Sequence, residues 1–121
     1  METLYKRLGG YDVIAGIVDD LFARNREAPQ LQRFAARSLD SLNRARQLLV
    51  DQLCELAGGP CIYIGRDMKT SHAGLNINEQ EWQTNMRHTV AALEKFRIPV
   101  REQEEFLALF EKYKSDIVEA R

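Results

Sequence analysis

The sequence predicts an all-α fold, and three observations carry that prediction. Apolar residues recur at spacings of three and four along most of the 121-residue chain. The breaks between those stretches fall at Gly9-Gly10, at Gly58-Gly59-Pro60 and before Pro99, which are helix-stop signals. Asn78, with Glu81 three residues on, has the form of a capping box that opens a further apolar face.

Taken in order, Leu4, Tyr5 and Leu8 make a short opening turn ended by Gly9-Gly10. Val13, Ile14, Ile17, Leu21 and Phe22 form a core-facing stripe on a second helix, expected over residues 11–25. Pro29 is tolerated in a first turn, so a short helix carrying Leu31 and Phe34 is expected over 28–34, with a polar stretch over 35–40 behind it. Leu42, Ala45, Leu49, Leu53 and Leu56 then line up as the core stripe of a long helix that stops at Gly58-Gly59-Pro60. From 61 to 77 the pattern loosens, and only 67–72 can form a turn or two of helix. Behind the capping box, Trp82, Met86, Val90, Leu93 and Phe96 make one face of a helix that ends near Arg97. Phe106, Phe110, Tyr113 and Ile117, flanked by Leu107, Leu109 and Val118, predict one last long helix.

The length suits a single domain over residues 1–121. Seventeen basic and eighteen acidic side chains are interspersed, for a net charge of -1, so no basic stripe points to nucleic acid. No apolar run is long enough to span a membrane, and the first ten residues lack the pattern of a secretory signal, so a soluble cytoplasmic protein is expected. Cys54 and Cys61 match neither a redox CxxC pair nor a zinc site and are expected to be reduced, buried thiols.

Chemistry is sought in the loose segment, because long irregular loops in compact domains are often functional. The chain has two histidines. His88 turns away from the apolar stripe of its helix and reads as a solvated surface residue. His72 lies four residues after Met68, on the same face if that turn is helical. By spacing alone His72 is either a structural residue or a metal ligand.

Gly58-Gly59-Pro60, followed by Tyr63, Gly65, Met68, His72, Leu75, Ile77 and Trp82 at these spacings, closely resembles the run that carries the proximal histidine in truncated haemoglobins, particularly their first group. Leu4-Tyr5, Leu8-Gly9-Gly10-Tyr11 and the stretch from Ile14 to Phe22 resemble the opening of the same family. The resemblance implies a two-over-two helical sandwich around a haem b (iron protoporphyrin IX), with His72 as the single proximal ligand and the opposite axial position open. The other ring nitrogen of such a ligand needs a partner to fix its tautomer, and since no carboxylate stands at a suitable spacing, a backbone carbonyl near Met68 is expected. Phe34 matches the aromatic that packs on the porphyrin. Met68, Leu75, Ile77, Trp82 and Met86 match the proximal wall, and Tyr63 the haem edge. Ordinary core packing is the competing reading for each. Arg44, Arg66 and Lys69 are candidates to meet the haem propionates, with solvated charge as the alternative.

On the distal side the sequence departs from many relatives. Where they carry a tyrosine in the second helix this chain has Phe22, and where they carry distal glutamines it has Ala45 and Leu49, with Leu48 between. Gln47 and Gln52 are the nearest amides. An apolar distal pocket should release dioxygen fast, weakening its affinity about ten- to a hundredfold, and favour carbon monoxide. The expected function is reversible binding of a diatomic gas (dioxygen, carbon monoxide or nitric oxide) for storage, scavenging or sensing, by a monomer or weak dimer. The alternatives are a redox enzyme, nitric oxide dioxygenase or peroxidase-like, fed by an external reductase, and a haem-free helical domain that holds another apolar ligand or a partner's helix.

Overall fold

The computed structural model describes residues 2–35 and 38–119; Ala36 and Arg37, within the expected polar stretch, lie outside the described residues. The Thr3 hydroxyl accepts the Lys6 N–H at 3.2 Å and opens α1 (Leu4–Leu8). Next comes α2 (Tyr11–Glu27), two residues longer than expected, and after it a 3-10 turn (Pro29–Leu31) that runs into α3 (Gln32–Ala35). Ser38 accepts the Ser41 N–H and caps α4 (Leu39–Leu56). Then follow α5 (Met68–His72), α6 (Glu79–Lys95), α7 (Val100–Glu111) and α8 (Lys114–Ile117). The capping box at the start of α6 is formed in both directions, at 2.7 and 3.0 Å. Such caps contribute about 1 kcal/mol each.

α2 is the centre of the packing, lying against both α6 and α4. Its Ile14, Ile17, Val18 and Leu21 are almost fully buried with Val50, Leu53, Leu93 and Phe106. Burial of each large aliphatic stabilises the fold by about 1.5–3 kcal/mol. A second, smaller core joins Trp82 and Met86 to Val118, with Leu107, Phe110 and Ile117 against them.

α4 carries two apolar faces, and of the expected stripe only Leu53 is fully buried. Val50, Leu53, Cys54 and Ala57 are sealed into the core, whereas Leu42, Ala45, Leu48, Leu49 and Leu56 stay half-buried. At 100° per residue the two faces lie about a quarter-turn apart.

Cys54 and Cys61 are not reduced thiols but a disulfide, with Cα atoms 5.7 Å apart. The turn at Gly58-Gly59-Pro60 makes the closure, as the Gly59 N–H returns to the Cys54 carbonyl at 2.8 Å. A Cβ on Gly59 would collide with the Tyr5 ring and the Cys54 sulfur, so the chain passes there only without a side chain. The pairing is set by this fold-back and not by a motif spacing, which is why sequence spacing missed it.

The last helix also differs from expectation. It breaks at Lys112–Tyr113, where the Tyr113 N–H bonds the Phe110 carbonyl in a tightened turn. The bend sends α8 back toward α5 and lets Val118 reach Trp82 and Met86.

Candidate functional site

His72 sits in the last turn of α5, half-buried. Its Nδ1 lies 2.9 Å from the Met68 carbonyl oxygen and 2.9 Å from Ser71 Oγ. A carbonyl can only accept, so Nδ1 carries the proton and Nε2 keeps its lone pair. The Ser71 hydroxyl itself donates to the Met68 carbonyl at 3.3 Å. The expected partner near Met68 is therefore present, and Ser71, its neighbour, is a second that sequence reasoning missed.

The segments on either side of α5 are pinned. Upstream, the Tyr63 hydroxyl donates to the Arg66 carbonyl at 2.5 Å, and burial raises its pKa. Downstream, Gly74 and Asn76 both take left-handed φ, +83° and +51°, the first of which a glycine adopts at no steric cost. Arg33 reaches this downstream stretch from α3. It donates to the carbonyls of Leu75 and Asn76 at 2.8 and 3.2 Å, and its Nε and Nη2 both meet the Glu81 carboxylate at 2.8 Å. Those bonds from Arg33 hold the Glu81 carboxyl below its ordinary pKa. The same guanidinium lies 4.1 Å over the ring of its neighbour Phe34. No sequence signal marked Arg33.

The residues expected around the haem fall into three groups. Met68, Tyr63, Ile77 and Phe34 are half-buried, and Leu75 is 40% exposed. Trp82 and Met86 are buried core residues, and the Trp82 indole N–H is the one buried side-chain polar atom without a hydrogen-bond partner among the described residues. Arg44, Arg66 and Lys69 are exposed.

On the other side, Phe22 and Leu49 both pack against the main core while keeping part of their surface exposed. Ala45 and Leu48 share the half-buried face of α4 with Leu49. A cleft of about 280 Å³ separates α2 from α4, lined by Phe22, Leu39 and Leu42 and rimmed by Arg46 and Asp19. Arg46 and Asp19 form a two-fold hydrogen-bonded pair at 2.7 and 3.0 Å, which pulls the Asp19 pKa down. Gln47 is exposed and spends its amide on the Tyr11 hydroxyl and Asp51. Gln52, by contrast, is buried on α4.

His88 is not the solvated residue its spacing suggested. It is half-buried and donates from Nδ1 to Asn25 Oδ1 at 2.7 Å, while the Asn25 amide donates to Asn85 at 2.8 Å. The long α2–α6 contact turns this side of α6 inward, and burial lowers the His88 pKa.

Among the described residues no helix is long and apolar enough to cross a membrane. The family model described as bacterial-like globin matches residues 3–119. A group 1 truncated hemoglobin of Nostoc sp. is 32% identical over 93 residues, 77% of each chain. The group 1 truncated hemoglobin of Nostoc commune is 33% identical over 73% of each chain. The solved truncated hemoglobin of Tetrahymena pyriformis, in its Fe(III) form, superposes with a TM-score of 0.88 at 20% identity, covering 97% of this chain and 98% of that one. The 2/2 hemoglobin of Synechococcus sp., solved in the cyanomet state with covalently attached heme, gives 0.86 at 16% identity, with 97% and 98% covered. The all-α architecture is thus the two-over-two globin sandwich, and the chain belongs to the bacterial-like globin family as a truncated haemoglobin.

Proposed function

We propose that this chain is a haem b protein that reversibly binds diatomic gases, with His72 as the proximal ligand and an apolar distal pocket. The observation that carries the reading is the His72 ring itself: Nδ1 is committed to Met68 and Ser71, which leaves Nε2 basic and free to bind a metal. Among the described residues no group of three His, Cys, Asp or Glu side chains could hold a bare ion. A lone imidazole suits an iron that arrives with its own four ring nitrogens. A bound haem supplies that iron, with one axial position left for the gas.

The rest of the site is consistent with this assignment. Leu42, Ala45, Leu48 and Leu49 give α4 an apolar face that the protein core does not fully cover, which suits a flat apolar ring. Phe34 stands on α3 with Arg33 stacked on it, and exposed Arg44, Arg66 and Lys69 are available to propionate carboxylates. Phe22, Ala45, Leu48 and Leu49 offer no hydrogen-bond donor to the gas. Dioxygen, the more polar ligand, should therefore be held weakly and carbon monoxide comparatively well.

Absorption spectra of the purified protein as isolated, after dithionite and after carbon monoxide test the reading. A Soret band that moves sharply on carbon monoxide addition is expected. A colourless protein that takes up no added hemin would return His72 to a structural role.

A further inference from the structure

α5 is five residues long and buries none of them, and its N-cap Asp67 makes no side-chain capping bond. A helix that short does not sustain itself, so the direction of the His72 ring depends on what holds the chain around it. Residues 73–77, immediately after His72, are gripped through both kinds of backbone group. Arg33 takes the carbonyls of Leu75 and Asn76. The Glu119 carboxylate accepts the amides of Gly74 and Asn76 at 3.2 and 3.0 Å, and the Glu119 N–H donates to the Ile77 carbonyl at 2.9 Å. Asn76 is thus bound at both its N–H and its C=O. Its left-handed backbone, at φ +51°, is one that asparagine tolerates better than most residues, and these bonds hold the turn in place.

We propose that Arg33 and Glu119 are positioning residues for the proximal histidine, fixing the exit of α5 so that His72 Nε2 keeps one direction. The proposal rests on the assignment of His72 as the iron ligand. Arg33 is suited to the task by its geometry. Only a planar guanidinium can meet the Glu81 carboxylate with two parallel bonds and still reach two carbonyls, and a lysine cannot. Through Glu81 it is tied to the first turn of α6, and through its stacking to Phe34, so one side chain links three elements expected to surround the haem. Glu119 completes the clamp from beyond α8, the helix that packs on α5.

Three variants decide the matter: Arg33→Lys, Glu119→Ala, and Arg7→Gln as a comparison. Glu119 is exposed, so its loss does not threaten the core. Arg7 is a similarly multivalent arginine, bonded to Glu102 and Glu105 between α1 and α7. The readouts are the iron–histidine stretching band of the ferrous, unliganded protein by resonance Raman, hydrogen exchange at residues 74–77, and the rate of haem transfer to an acceptor globin. Both Arg33→Lys and Glu119→Ala should shift or broaden the band, speed exchange at 74–77, and accelerate haem transfer by about tenfold. Arg7→Gln should lower the melting temperature and leave the band in place. If the two clamp variants also lose only thermal stability, with an unchanged band, Arg33 and Glu119 are merely structural and the proposal is overturned. If the wild-type protein binds haem but shows no iron–histidine band, the assignment of His72 itself is what fails.

Discussion

The Nδ1 atom of His72 lies 2.9 Å from the main-chain oxygen of Met68, one helical turn earlier. That contact fixes the tautomer, because the oxygen has no proton to give, and it makes the imidazole a stronger donor through Nε2. His72→Gly should therefore abolish the normal proximal spectrum, and added imidazole should restore carbon monoxide binding by filling the space. Ser71→Ala is a graded version of the same test. It removes one of two partners and keeps Met68, so haem retention should fall only to the low end of the roughly ten- to hundredfold range for such groups. Spectral titration with hemin measures both.

Phe22 is the aromatic residue of α2 that lines the cleft between α2 and α4, beside Asp19 and Arg26. A tyrosine there adds one hydroxyl to a set of proposed distal residues, Ala45, Leu48 and Leu49, whose side chains offer no donor. A hydrogen bond to a ligand carrying partial charge contributes about 1.5–3 kcal/mol. Phe22→Tyr should then slow dioxygen release about ten- to a hundredfold, with carbon monoxide affected much less. Stopped-flow release rates decide it, and an unchanged dioxygen rate would mean that a donor already serves the pocket, with buried Gln52 as the first suspect.

Helices whose partners are other helices were legible, since Ile14, Ile17, Leu21 and Leu93 obey the 3.6-residue period of a buried face. The α4 stripe was read as core for the same reason, although Ala45 and Leu49 are only half-buried. Periodicity records that a face is apolar and not what covers it. The break at Tyr113 escaped notice because Phe110 and Ile117 continue the period across a turn that changes only the backbone. Arg33 and Glu119 were invisible for a different reason: they act on backbone groups some 40 residues away in sequence, and no local pattern encodes such a contact. His72 and its Met68 partner were readable because their relation is local, one turn of one helix.

The Cys54–Cys61 disulfide closes a small loop of seven-residue separation, which limits what it can contribute. Chain-entropy arguments give about 2–3 kcal/mol for a loop of this size. Cys54 is fully buried in the main core, so Cys54→Ala adds a packing change to the lost bridge, whereas Cys61→Ser mainly removes the bridge. Denaturant titration of wild type with and without reductant should show a fall of about that amount, and Cys61→Ser should be insensitive to reductant. Equal midpoints in the two wild-type conditions would show the bridge contributes nothing.

His88 supplies a pH dependence of definite sign. Burial lowers its pKa below the ordinary histidine value, with Arg87 and Arg24 acting in the same direction, while the hydrogen bond to Asn25 ties the ring to α2. The folded state therefore resists taking up a proton that the unfolded chain accepts at about pH 6.5. Stability from this group is complete above that pH and is lost as pH falls toward the lowered folded value. The charges that surround it keep their state over that range: Arg24 is paired with Asp20, Arg87 bonds Thr84, and Asn25 and Asn85 do not titrate. Denaturant midpoints of the apoprotein should decline between pH 7.5 and pH 5.5. His88→Gln, which keeps an amide donor for Asn25, should flatten that decline. A slope that survives the substitution would assign the acid sensitivity to another group.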